Sequence, residues 1–284
     1  MLTIYHLNNK IAVITGGTSG IGKATVEKLV TFGTTVVLLA RDIQKAESVK
    51  REILKTFPNG KVDIFAGDLK DLGSIKSAAE EIKFRYPQID ILINNAGGVF
   101  SKFEKTMDGF EVGFQVNHLA HFLLTQILLD NLLKSNDARV VNLSSEAHRI
   151  GKFRVGNLNA EKKFSTWMQY GAIKLMNILF TKALANKYGE KGLQSFAVHP
   201  GVVKSGFGAN NGGFLKYFNK MPFLITPEQG AETSVYLATQ SKEKLSNGGY
   251  YKRCQISYSS LESQDLVAQD QLWEISMKLI KSYL

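Results

Sequence analysis

The 284-residue chain has one cysteine and five prolines, and it lacks a hydrophobic run long enough to cross a bilayer. A single thiol, Cys254, excludes an internal disulfide framework and any zinc site built on several thiolates. So few prolines exclude a collagen-like or proline-rich linker architecture. The most apolar stretch, residues 122–133, is short and interrupted by Thr125, Gln126 and Asp130. The first ten residues carry no apolar core of a signal peptide, so neither a leader nor an anchor is expected. Disorder is excluded as well, because 44% of the residues are hydrophobic and only 21% are charged. What the chain has in excess is positive charge: 35 Lys+Arg against 25 Asp+Glu, a formal +10. Two readings of that charge stay open, a phosphate-bearing partner (nucleic acid included) or a lysine-rich solvated face.

Short apolar runs alternate with helical patterns along the chain. The runs at residues 11–15, 35–40, 62–66, 89–94, 139–143 and 193–198 read as strands buried on both faces, with a short seventh at 249–253. Between them, residues 21–32, 43–57, 72–85, 108–133 and about 166–188 read as helices. Gly33 is placed to end the first of these, and Asp42 to cap the second. This alternation predicts a doubly wound α/β fold with a parallel sheet of about seven strands. No Gly/Ser/Pro-rich linker divides it, so one domain over 1–284 is expected, with a C-terminal helical segment at about 257–284. Two stretches break the alternation, the polar residues 149–164 and the Gly- and aromatic-rich residues 205–224. Both follow strands, on the side where open parallel sheets bind ligands.

The segment Thr15-Gly-Gly-Thr-Ser-Gly-Ile-Gly22 joins the first strand to the first helix. Glycines let a backbone approach a pyrophosphate closely, and the helix N-terminus adds N–H groups and a positive dipole end. Gly17, Gly22 and Lys23 nearly spell a Walker A loop, but that motif needs Ser or Thr where this chain has Ala24. The dinucleotide reading is therefore preferred, and with it the Rossmann fold. The second strand ends Leu39-Ala40-Arg41. Ala40 occupies the position of the acid that would bind a ribose 2′-hydroxyl, and the Arg41 guanidinium suits a 2′-phosphate. NADP(H) is expected over NAD(H).

Three further motifs complete the pattern: Asn94-Asn-Ala-Gly97, Leu143-Ser-Ser145 and Tyr170-Gly-Ala-Ile-Lys174. With Asp68-Leu69, Asn117 and Pro200-Gly201 in this order, residues 11–238 resemble the short-chain dehydrogenase/reductase family. Leu39-Ala-Arg-Asp42, Val141-Asn-Leu-Ser-Ser-Glu-Ala-His148, His199-Pro-Gly-Val-Val203 and Tyr250-Tyr251-x-x-Cys254 resemble its retinol-dehydrogenase-like branch. The resemblance implies catalysis by Tyr170, Lys174, Ser145 and Asn117, with Asn117 orienting a proton-relaying water. It implies cofactor contacts from Gly16, Thr18, Ser19, Gly20, Ile21, Gly22 and Arg41. Asp68 and Leu69 are expected near the adenine, and Asn94, Asn95, Ala96 and Gly97 near the adenosine ribose. Pro200, Gly201 and Val203 are expected near the nicotinamide carboxamide. Ser145 is chosen over Ser144 because it gives the branch's spacing to Tyr170.

Tyr170 and Lys174 share one helix face. A nearby ammonium and an oxidised nicotinamide ring favour phenolate, so the tyrosine is expected to exchange a proton near neutral pH. His118 and His121 lie at i, i+3 without an evident third ligand, so no metal is expected. Ile173 and Gly98 depart from residues common in the family. The expected protein is thus a cytoplasmic NADP(H)-dependent alcohol dehydrogenase or carbonyl reductase acting on a small molecule. Its substrate is expected to be apolar or aromatic, under a loop at about 205–226 with Phe207, Phe214, Tyr217, Phe218 and Phe223. Neither nucleic acid nor a membrane anchor is expected as a partner. A homodimer or homotetramer is implied by the resemblance unless the C-terminal segment covers the contact faces. Two other classes remain, a catalytically idle NADP(H)-binding sensor or scaffold, and a nucleic-acid binder resting on net charge alone.

Overall fold

The computed structural model describes residues 7–203 and 224–284. Among the described residues eight strands form one sheet, β1 Ile11–Thr15, β2 Thr35–Ala40, β3 Lys61–Ala66, β4 Ile91–Asn94, β5 Arg139–Leu143, β6 Gln194–His199, β7 Tyr250–Lys252 and β8 Gln255–Ser257. Their spatial order is β3-β2-β1-β4-β5-β6-β7-β8. All pairs are parallel except β7 with β8. The order reverses between β1 and β4, which opens a crevice at their carboxyl ends.

Alternate strand residues supply two cores. Ala12, Ile14, Val36 and Leu38 face the layer of α1 (Gly20–Thr31) and α2 (Ile43–Thr56). Val13, Val37 and Leu39 face α3 (Leu72–Arg85) and the two long helices described next. Burial on both faces explains why the strands read as continuous apolar runs. Asp42 accepts from the Lys45 N–H at 2.9 Å and caps α2, and Gly33 follows α1 with φ +81°.

The pattern at 108–133 resolves into three pieces: a short α4 (Val112–Phe114), a π turn (Gln115–Leu119) and α5 (Ala120–Leu132). The helix starts four residues later than its apolar pattern. Glu111 caps it, accepting from the N–H groups of Gly113 and Phe114 at 2.7 and 2.8 Å. Asp108 instead accepts from the Leu72 N–H and the Gln115 amide. The strand count is also one higher than expected, because β7 turns back through Arg253 and Cys254, with φ of 52° and 59°. Neither residue is a glycine or asparagine, so the turn carries no composition signal.

Residues 149–164 remain irregular apart from short 3₁₀ turns, one of them Val155–Asn157. The expected aromatic loop lies almost wholly in 204–223, outside the described residues. Helix α6 (Thr166–Tyr188) packs on β5 and β6, and α7 (Pro227–Thr239) packs on α1. The C-terminal helix α8 (Leu266–Ile280) lies over α5 and α6. Its Trp273 ring meets Phe122 and Phe180, and Ser276 meets His118. A face of both long helices is thereby covered from within the chain.

Candidate active site

The glycine loop sits at the crevice and is held by what surrounds it. Gly16 and Gly20 adopt φ of +69° and +51°, where a side chain would be strained. The two ends of the loop press together, for a Cβ on Gly22 would stand 2.1 Å from the Gly16 carbonyl oxygen. Asn95 braces the turn, its amide donating to the carbonyls of Thr15 and Gly16 at 2.8 and 3.3 Å. The Thr15 hydroxyl accepts from the N–H groups of Asn95 and Ala96, which leaves its proton for His121 Nε2 at 2.9 Å. Ser19, the residue before α1, makes no side-chain cap. The N-terminal N–H groups of a twelve-residue helix thus point at the crevice without a side-chain acceptor from Ser19. Lys23 is committed elsewhere, bridging Glu52 at 2.6 Å and Glu27 at 3.6 Å.

The four residues expected to carry catalysis converge on the same crevice from three elements. Tyr170 and Lys174, from α6, are buried, with Lys174 Nζ 5.5 Å from the centre of the Tyr170 ring. Lys174 Nζ donates to the Leu143 carbonyl at 3.1 Å. Ser145 follows β5 and hydrogen-bonds Tyr170. Its neighbour Ser144 faces away, donating to the Lys174 carbonyl at 2.7 Å. Asn117 lies at the middle of the π turn. Its amide donates to the Gly98 and Gly113 carbonyls at 3.1 and 2.8 Å, and its Oδ1 accepts from the Gly98 N–H at 3.0 Å. Gly97 fits between these groups, since a Cβ would lie 2.3 Å from Asn117 Oδ1 and 3.6 Å from Lys174 Nζ. Gly98 differs, with nothing within 4 Å of an added Cβ, so it does not need to be glycine for space.

Burial dominates the titration of the centre. It pushes the Tyr170 phenol above its ordinary value, while the Ser145 hydrogen bond pulls the other way. The protein's own groups therefore keep the phenol protonated at neutral pH, the reverse of the shift expected from a nearby ammonium and a bound oxidised cofactor. Burial also lowers Lys174 to about 8.

The remaining expected contacts follow the carboxyl ends of β1, β2, β3 and β6. Arg41, exposed at the end of β2, makes no ion pair or hydrogen bond among the described residues. Thr18, Ser19 and Ile21 lie on the glycine loop and the first turn of α1. Asp68 caps its own turn by accepting from the Lys70 N–H, and Leu69 is buried behind it. Pro200 and Gly201 follow β6; Gly201 has φ +91°, and Val203 pairs with Ile225 beyond the undescribed stretch.

Residues that local sequence patterns did not mark also hold the site. Buried Glu111 accepts from the Gln169 amide at 3.0 Å as well as capping α4. It thereby joins the helix start before Asn117 to the residue before Tyr170. Asn177 donates to the carbonyls of Asn117 and Leu143 at 3.1 and 2.9 Å. His118 and His121 are both consumed by such bonds, and no group of three His, Cys, Asp or Glu able to hold a metal occurs among the described residues. The Glu111 cap of α4 and the His121–Asn117 pair are local, whereas Glu111–Gln169, Asn177–Asn117 and Asn177–Leu143 span 34 residues or more.

Comparison with known proteins agrees with this architecture. The family model for short chain dehydrogenases matches residues 10–213. Retinol dehydrogenase 11 of Mus musculus is 38% identical over 278 residues, covering 97% of this chain and 87% of that protein. Retinol dehydrogenase 12 of Homo sapiens is 39% identical over 279 residues, covering 98% and 88%. A crystal structure of an uncharacterised protein from Mycobacterium Paratuberculosis superposes with a TM-score of 0.80 at 30% identity, covering 98% and 96%. A mostly parallel sheet with a glycine loop at its switch point defines a Rossmann fold, and the family match makes the protein an oxidoreductase. The chain belongs to the short-chain dehydrogenase/reductase family, on its retinol-dehydrogenase-like branch.

Proposed function

We propose that the protein is an NADP(H)-dependent oxidoreductase that interconverts an apolar or aromatic ketone or aldehyde and its alcohol, with Tyr170 as general acid and base. The observation that carries this reading is the meeting of Tyr170, Ser145 and Lys174 at the carboxyl ends of β4 and β5, beside the glycine loop. The crevice suits a dinucleotide. Left-handed Gly16 and Gly20 admit close approach, the Ser19 hydroxyl is not spent on capping, and Arg41 has no counter-ion among the described residues.

In this reading Gly16, Thr18, Ser19, Gly20, Ile21 and Gly22 would hold the pyrophosphate, and Arg41 would bind a 2′-phosphate. Asp68 and Leu69 would flank the adenine, and Asn95, Ala96 and Gly97 its ribose. Lys174 and Tyr170 would hold the nicotinamide ribose, and Pro200, Gly201 and Val203 would flank the carboxamide. The cofactor supplies or accepts the hydride. Ser145 holds the substrate oxygen by a hydrogen bond, and Tyr170 delivers a proton to that oxygen as it gains charge. A phenol kept protonated by burial suits the reductive direction. The Lys174 ammonium, near the phenol, stabilises the phenolate left behind. Asn117 holds the Asn95–Gly98 turn against this centre.

Relatives named for retinol support an apolar substrate. No helix among the described residues is long and apolar enough to cross a membrane. We place the enzyme in the cytoplasm, as one domain acting on small molecules. The test is a panel of apolar ketones and aldehydes run with NADPH and NADH. NADPH is expected to be the better reductant, and Arg41→Ala is expected to raise the KM for NADPH at least about tenfold with little change for NADH. Equal KM values for NADPH in the two proteins would overturn the 2′-phosphate assignment.

A further inference from the structure

The turn after β5 is tied to the far end of the chain through one imidazole. His148 is fully buried. Its Nδ1 lies 2.6 Å from the Ser145 carbonyl oxygen, which can only accept. Its Nε2 lies 3.0 Å from the Ser260 backbone N–H, which can only donate. Together these partners admit one state of the ring, neutral and protonated on Nδ1. The Tyr250 ring meets His148 edge-on, with centroids 4.9 Å apart. On the other side α6 presses on the same turn, for a Cβ on Gly171 would stand 2.6 Å from the Ala147 carbonyl oxygen.

We infer that His148 is a positioning residue that sets the Ser145 hydroxyl from the C-terminal segment, so that the reacting turn and residues 258–264 move as one body. The inference rests on the reading of Ser145 as the residue that holds the substrate oxygen. The Ser145 hydroxyl oxygen accepts from the Ala147 N–H at 3.2 Å, and its backbone takes its orientation from the bond to the imidazole. A second strut runs parallel, Arg149 Nη2 donating to the Tyr258 carbonyl at 2.6 Å. Protonating the ring would set an Nε2–H against the Ser260 N–H, so the strut holds only while His148 is neutral.

The charges around the ring agree with a neutral state. On its own turn stand Glu146 and Arg149; on β7, Tyr250 and Lys252; on β6, His199. Glu146 is already engaged by Arg149 at 2.9 Å and by the Tyr250 hydroxyl at 2.8 Å, with Lys252 at 3.8 Å. Burial, then Arg149, push the His148 pKa down against the Ser145 bond and Glu146.

The test deletes one N–H. Ser260 has φ −61° and ψ 154°, a conformation that proline adopts, so Ser260→Pro removes the donor and keeps the backbone. In the wild type, long-range proton–nitrogen NMR of the imidazole is expected to report the Nδ1–H tautomer at about pH 7.5. In Ser260→Pro the ring is expected to titrate at a higher pH than in the wild type, and kcat per cofactor-binding site to fall at least about tenfold at pH 6 and less at pH 8. His148→Asn, whose amide can still donate to the Ser145 carbonyl, is expected to keep more of kcat than His148→Ala, with cofactor affinity alike in both. An Nε2–H tautomer overturns the inference, as does a wild-type pH profile for kcat in Ser260→Pro. The tautomer needs no substrate to be read, so a wild type without carbonyl reductase activity would count against the proposed function and would be told apart from a failure of the strut.

Discussion

Ser144 and Ser145 are neighbours in the chain with opposite commitments: Ser144 donates to the Lys174 carbonyl at 2.7 Å, and Ser145 hydrogen-bonds the Tyr170 phenol. The first bond anchors β5 to α6, and the second reaches the proposed reacting centre. Substituting each with alanine separates the roles. Ser145→Ala is expected to lower kcat by about 10² or more, the usual loss of one oxyanion-directed donor. Ser144→Ala is expected to cost about 1 kcal/mol of stability with a far smaller loss of kcat. Steady-state kinetics and urea unfolding on both variants check this, and a reversed order of the kcat losses would refute it.

Glu111 is a carboxylate with no cation among its hydrogen-bond partners, held by two backbone N–H groups and the Gln169 amide. Glu111→Ala removes a helix cap and leaves buried donors unpaired. The expected loss is about 2–4 kcal/mol of unfolding free energy. Because the same carboxylate joins the segments carrying Asn117 and Tyr170, kcat should fall in the folded fraction too. Denaturant midpoints and kcat per cofactor-binding site measure the two effects separately.

Stability should weaken on mild acidification. Burial lowers His118 and His199 to about 4 and His121 to about 3, against about 6.5 in an unfolded chain. Between those values and 6.5 the unfolded state binds more protons than the native one, so unfolding free energy rises with pH across that window. Going from pH 7 to pH 5 should therefore destabilise the fold, by about 2 kcal/mol for each such histidine that stays neutral in the native state. Urea unfolding at the two pH values reads it, and a midpoint that rises at pH 5 would contradict the assignment of these rings as buried and neutral.

Much of the fold was readable because buried parallel strands and glycine turns leave strong local signals. The runs at 11–15, 35–40 and 139–143 coincide with β1, β2 and β5, and residues 72–85 and 166–188 with α3 and α6. Asp42 begins α2 and Gly33 ends α1 as expected. The first turns of α4 were less legible, since Asp108 and Glu111 take their roles from partners on other elements rather than from spacing. The eighth strand has only three residues behind a turn of Arg253 and Cys254. The long-range struts, His148 to Ser260 and Glu111 to Gln169, join residues 112 and 58 positions apart, beyond any local pattern. By contrast the Tyr170 and Lys174 pair lies one helical turn apart, and the structure keeps both on the crevice.

The proton role of Tyr170 is the centre of the account, and Tyr170→Phe isolates it by removing one oxygen and its proton from a buried ring. The measurement is NADPH oxidation with the best ketone or aldehyde of the panel, beside NADPH affinity by fluorescence titration. The account predicts a loss of kcat of at least about 10²-fold with NADPH affinity changed by less than about tenfold. A Tyr170→Phe protein that turns over at the wild-type rate would contradict it.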